Sequence, residues 1–204
     1  MSDTLTVLLG LRLKGFGAAE AIAEVVDADP AVVEAGLAAA AASNWALLRE
    51  GRMSGWSITP DGRAEGERLL AAELDAAGCR EAVSVAYESF LDLNARMLQV
   101  CTDWQMKDAE TLNDHSDPGY DRAVTERLAA IHHGAVPICD DLAVALARFG
   151  HYRRRLEAAL ERVHAGEHDY FTGVRVASYH TVWFELHENL LATLGVDRAR
   201  EGSG

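Results

Sequence analysis

The stretch from Trp45 to Leu70, WALLREGRMSGWSITPDGRAEGERLL, constrains the fold more than any other, because two short apolar runs flank a turn and lead directly into a capped helix. Trp45, Leu47 and Leu48 begin one strand, residues 49–55 supply glycine, serine and charge suited to a turn, and Trp56, Ile58 and Thr59 form a second strand. The spacing predicts a β-hairpin that runs straight into a helix. Thr59 is placed to accept a bond from a free first-turn N–H. Pro60 at the first helical position loses nothing, since its missing donor would be unpaired in any case.

Three helices are expected before the hairpin. Leu5, Leu8, Leu9, Leu13 and Phe16 recur at helical spacing and predict a helix over 4–14 with one buried stripe. Residues 18–26 form a second, presenting Ile22, Ala23 and Val26. Asp29-Pro30 caps a third that runs to about Ser43 with Val33, Leu37 and Ala40/Ala41 inward. With the hairpin and the run Ile58-Thr59-Pro60-Asp61-Gly62-Arg63, this stretch resembles the wing and following helix of MarR-like and related bacterial winged-helix regulators, where Leu-Thr-x-x-Gly-Arg follows the wing. The resemblance covers the first third of the chain. It implies a winged helix-turn-helix domain over residues 1–77 with the third helix as recognition helix, and a DNA-binding transcriptional regulator that works as a homodimer.

Charge complicates that implication. The chain of 204 residues carries a formal net charge of −13, and an acidic protein is repelled by phosphate unless its positive charge is locally concentrated. Residues 1–75 hold six basic and twelve acidic side chains, a balance of −6. The outward positions of the third helix are Glu34, Ala35, Ala38, Ala39 and Ala42, none of which can donate a hydrogen bond to a base edge. Base readout by this helix is therefore expected to be weak. The DNA-contacting set becomes Arg49, Arg52 and Arg63, with Ser43 and Asn44 able to touch the backbone. The same arginines also read as a solvated rim, and the neutral third helix fits a winged helix that binds a protein partner instead of DNA.

No apolar run approaches the roughly 20 residues needed to cross a bilayer, and the start Met1-Ser2-Asp3-Thr4 lacks the basic residues of a signal peptide, so a cytoplasmic protein without membrane contact is expected. Cys79, Cys101 and Cys139 are far apart with no C-x-x-C, which argues against a disulfide framework or a zinc ribbon and for three buried thiols. Lys14 and Lys107 are the only lysines beside many arginines and alanines, a composition typical of a bacterial genome of high GC content.

Ala76-Ala77-Gly78 marks the expected domain boundary. Beyond it, helical patterns over residues 80–107, 120–149 (with a break or kink at Pro137), 151–165 and 176–194 describe an all-α bundle over residues 78–197, for effector binding or dimerisation. Residues 108–119 form a loop rich in turn formers, and 198–204 a disordered tail. The expected class is thus mostly α: an N-terminal winged helix-turn-helix plus a C-terminal all-α helical bundle.

Within the bundle, His180, Trp183/Phe184 and His187 share one stripe of the last helix. They read either as core or as the wall of a pocket for a small-molecule effector, and together with Trp104, His115, Tyr120 and Arg155 they make the candidate ligand-binding set. Arg148, Arg153, Arg154 and Arg155 form a dense basic cluster; Arg153 can pair with Glu157, while a guanidinium here could also hold an anionic effector. Glu161-Arg-Val-His164 is a single Glu-x-x-His, where a di-iron bundle needs two, and Glu185-Leu-His187 has the wrong spacing. A mononuclear site from His115, His180 and His187 is the alternative, but no metal and no cofactor is expected. His132 and His133 project about 100° apart and do not converge. Asp114, His115 and Asp117 suit either acid–base work or helix capping. Nothing resembles a Gly-x-Ser-x-Gly elbow or a glycine-rich phosphate loop, so an enzyme or metal-binding bundle is the third reading, after the regulator and the partner-binding module.

Overall fold

A computed structural model describes residues 3–197, a mostly helical chain with one small antiparallel sheet, divided into two compact units. The first takes the residues up to Arg80 together with those from His187 on; the second is Glu81–Leu186. The expected tail, 198–204, lies outside the described residues. Among the described residues, no helix is long and apolar enough to cross a membrane.

The first unit begins α1 (Asp3–Lys14), β1 (Phe16–Gly17), α2 (Ala19–Val26), α3 (Pro30–Ala42), β2 (Ala46–Arg49), β3 (Gly55–Ile58) and α4 (Pro60–Ala77). The sheet order is β1-β3-β2, all antiparallel, with Phe16 opposite Ser57 and Leu48 opposite Trp56. α1 was expected to bury one stripe and instead buries nearly its whole circumference. Val7, Leu8 and Leu11 pack with Ile22, Val33, Leu37 and Ala46, whereas Leu5, Leu9 and Leu13 pack with Val25, Val26, Leu70 and Ala192. A helix that is apolar all round must be covered all round, which explains why its leucines obey no single stripe. Phe16 leaves the helix for β1 and is 38% exposed, a correction to its assignment to the stripe.

Helix starts follow the sequence closely. Asp29 Oδ1 accepts from Ala31 N at 2.8 Å and caps α3. Thr59 Oγ1 accepts from Gly62 N at 3.0 Å and donates to the carbonyl of Asn44 at 2.7 Å, so one hydroxyl caps α4 and ties it to the chain entering the hairpin. At the hairpin turn, Ser54 Oγ donates to Gly51 O at 3.1 Å, and Gly51 adopts a φ of 129° that suits glycine.

The second unit is built from α5 (Arg80–Gln105), α6 (Pro118–Ala145), a 3₁₀ turn at Ala147–Phe149, α7 (His151–His164), α8 (Asp169–Thr172) and the first part of α9 (Tyr179–Leu194). Its core holds Phe90, Met97, Leu128, Phe149, Tyr152, Phe171, Tyr179 and Trp183. Three expectations need correction. α6 runs through Pro137 without the break that was one of the two expected outcomes there and continues to Ala145, and the chain leaves the helix at Leu146, whose backbone is extended. α9 begins at Tyr179, because residues 174–177 form turns before Ser178 Oγ accepts from Thr181 N at 3.2 Å. α8 and the two-residue β1 have too little sequence to show a period and were not anticipated. Cys101 and Cys139 are buried, and burial pushes both thiols up to about 12, but Cys79 is only partly buried.

Candidate functional site

In the first unit the candidate DNA-contacting residues fall into two groups. Ser43, Asn44, Arg49 and Arg52 are all exposed, at the end of α3 and along the hairpin, and Asn44 takes a left-handed φ of 59° where the chain turns into β2. Arg63 is also exposed but sits in the first turn of α4, where it lines a cavity of about 490 Å³ with Arg12, Glu67, Arg80 and Glu188. Arg12 spans that cavity, pairing with Glu67 at 3.0 Å and with Glu188 at 2.9 Å. Arg68 is taken by Glu65 at 2.6 Å. The free face of α3 is apolar: Ala31, Val32, Ala35, Ala38, Ala39 and Ala42 are exposed, with Glu34 as the charge among them. An open groove of about 570 Å³ runs along this helix between Val32, Ala35, Ala39 and Trp45.

In the second unit, three of the seven candidate ligand-binding residues gather at one end. Trp104, near the end of α5, is 4% exposed and stacks on Phe171 of α8 with ring centroids 4.3 Å apart. His115 lies over the same indole at 4.5 Å and beside His168 at 4.5 Å, while the His168 ring meets Trp104 edge-on at 5.3 Å. Tyr120 does not face this ring cluster through its hydroxyl, which donates to the backbone carbonyls of Asp103 at 2.9 Å and Met106 at 3.1 Å and so fastens the start of α6 to the end of α5.

The loop between α5 and α6 folds for identifiable reasons. Met106 pairs with Leu112 across a small antiparallel bridge, and Asp117 caps α6 by accepting from Gly119 N and Tyr120 N. Lys107 Nζ lies 3.0 Å from Asp114, whose carboxyl is held well below the usual range by its bonds from Ser116 and Lys107. Asn113 is buried at the centre. Its amide donates to Trp104 O at 3.1 Å and Asp121 Oδ1 at 2.8 Å, and its carbonyl accepts from His115 N at 3.1 Å. His115 occupies a left-handed φ of 58°, an uncommon conformation for a residue with a side chain, and its Nδ1 lies 3.0 Å from Asp121 Oδ2. His115, Asp121 and His168 bring one ligating atom each to within 4.8 Å of one another.

Trp183 is 2% exposed, stacks on Phe90 at 4.6 Å and donates its Nε1–H to Asn94 at 2.9 Å. His180, half-buried, has its pKa lowered by burial. His187 is buried and belongs to the first unit, and Arg155 is paired with buried Glu185 at 2.6 Å. In the basic cluster, Arg153 bonds Asp140 and Glu157, and Arg148 stacks over Phe149 at 4.5 Å. Sequence reading missed Asn113, Asp121, His168 and Phe171. The turn run Asn113-Asp114-His115-Ser116-Asp117-Pro118 was a usable signal for the loop, but nothing local links it to His168, more than fifty positions away.

Comparison with known proteins finds no family model, no curated protein and no solved structure that matches the chain.

Proposed function

We propose that this chain is a winged-helix transcriptional regulator, a cytoplasmic homodimer whose N-terminal unit meets DNA through its hairpin and whose helical bundle senses an effector. The observation that carries the reading is the order α1-β1-α2-α3-β2-β3 with sheet order β1-β3-β2. In that order the hairpin is the wing, α3 stands in the recognition position, and the exposed Arg49 and Arg52 are the cations available to phosphate. Phosphate contacts position a protein without reading sequence, and the alanine face of α3 adds no donor to a base edge. The expected interaction is therefore dominated by backbone contacts and groove shape.

On the sensing side, Trp104, Phe171, His115 and His168 supply an aromatic floor and polar edges at one end of the bundle. An effector acts here by binding one arrangement of these elements better than another, which is the only way a ligand shifts an equilibrium.

A second reading is favoured by the exposed apolar face of α3 and the −6 balance of residues 1–75, which suit a winged helix that holds a protein partner. Fluorescence anisotropy with labelled random-sequence duplex near 50 mM salt separates the two. Saturable binding supports the regulator, and its absence, together with no duplex recovered by selection from a random library, moves the assignment to the partner-binding module.

A further inference from the structure

We propose that His115, Asp121 and His168 form a binding site for a divalent first-row transition ion. The inference names the ligand class of the sensing end described above and rests on that reading for its regulatory consequence, but not for metal binding itself. Two imidazoles and one carboxylate are borderline donors that suit zinc, nickel, cobalt or ferrous iron; magnesium and calcium prefer sets made only of oxygen.

Three features distinguish this trio from a chance pair of histidines. The donors come from three separate segments, the α5–α6 loop, the first turn of α6 and the residue before α8, yet converge within 4.8 Å. Donors about 2.0–2.2 Å from a tetrahedral zinc stand about 3.4 Å apart, so closure asks for a small movement. Buried Asn113 fixes two of the three ligands, holding Asp121 by its side chain and His115 by its backbone, as outer-shell groups do around metals. The stacked Trp104 and Phe171 rings floor the site, while the third ligand, His168, is exposed, which leaves the site open to an ion from solvent. Three protein ligands leave at least one coordination position to water or to an exchangeable ligand.

Nδ1 of His115 lies 3.0 Å from Asp121 Oδ2, so two of the three donors already face one another.

The test uses the full chain without an affinity tag, stripped with chelator and titrated with Co²⁺ by visible absorption and with Zn²⁺ by calorimetry. The expected result is one ion per chain, with d–d bands of four- or five-coordinate cobalt. His168→Ala should weaken binding at least tenfold, and His133→Ala, an exposed histidine elsewhere on α6, should leave it unchanged. His168 is exposed, so its variant should fold, and far-UV circular dichroism checks that it does. Absence of saturable binding below 100 µM metal, or equal affinity in wild type and His168→Ala, overturns the site. If metal binds as expected but DNA affinity is the same with and without it, the site stands and the sensing role fails.

Discussion

Gly62 lies so close to the backbone carbonyl of Trp45 that a Cβ at position 62 would overlap that oxygen. Thr59 serves the same junction, accepting from Gly62 N and donating to Asn44 O. The spacing Thr-x-x-Gly in the hairpin-to-helix run therefore has a mechanical reason: the hydroxyl caps α4, and the missing side chain lets α4 press onto the chain that enters β2. Gly62→Ala should destabilise the first unit by about 3 kcal/mol or more, because the obstacle is backbone and cannot rotate away. Thr59→Ala should cost about 1 kcal/mol as a lost cap. Gly66→Ala is the control: its Cβ would meet Leu8 Cβ at 3.4 Å, an ordinary contact, so better helix propensity should leave stability level or raised by up to about 1 kcal/mol. Urea unfolding of the three variants reads these signs.

Arg155 and Glu185 form an enclosed ion pair in the second unit, at 2.6 Å with side chains 10% and 6% exposed. Removing one partner takes an opposite charge away from the other in a poorly hydrated place. Arg155→Met should cost about 3–5 kcal/mol, and adding Glu185→Leu should recover much of it, since well-packed apolar replacements of a buried pair are often neutral. A chemical-denaturation cycle over the two single variants and the double variant checks this. Equal and additive losses would show that the pair is not coupled.

Acid should weaken the second unit through two histidines. Burial lowers His132, with help from Arg153, His133 and His164 and opposition from Glu157, and burial alone lowers His180. Both stay neutral in the fold at pH values where the unfolded chain already takes up protons. Their contribution is thus fully present above the ordinary value of 6.5 and is lost as the pH falls through it toward the lowered folded values. The urea midpoint should drop between pH 7.5 and pH 5.5, and His132→Gln with His180→Gln should flatten that drop. An unchanged slope in the double variant would locate the acid sensitivity elsewhere.

The sequence made the helices and the hairpin legible because each has a local cause: Asp29-Pro30 and Thr59-Pro60 start α3 and α4, and Gly78 ends α4 in a left-handed φ of 60°. It misled on α1, where leucines on all sides reported burial on all sides, and it could not show β1, whose two residues pair only with a strand forty positions away. The bundle cluster was legible only in part. Trp104 and His115 stood out as a tryptophan on a helix face and a histidine in a turn-rich loop. Asp121 looked like one more first-turn acid, and His168 became a neighbour only through the packing of α8 against the end of α5. His180, Trp183 and His187 share the last helix, α9, as read. Trp183 spends its N–H on Asn94, and His187 lies past the boundary of the second unit.

The most direct test of the proposed regulator function is the salt dependence of binding to random duplex DNA, measured from 50 to 200 mM salt for wild type and Arg49→Ala/Arg52→Ala. Each phosphate neutralised contributes a slope of about −0.9 in log affinity against log salt, so loss of both wing arginines should make the slope shallower by about 2 per bound chain. Identical slopes in the two proteins would contradict the hairpin arginines as the DNA-contacting element, and no binding at 50 mM salt, together with no duplex recovered by selection, would contradict DNA binding by the hairpin altogether.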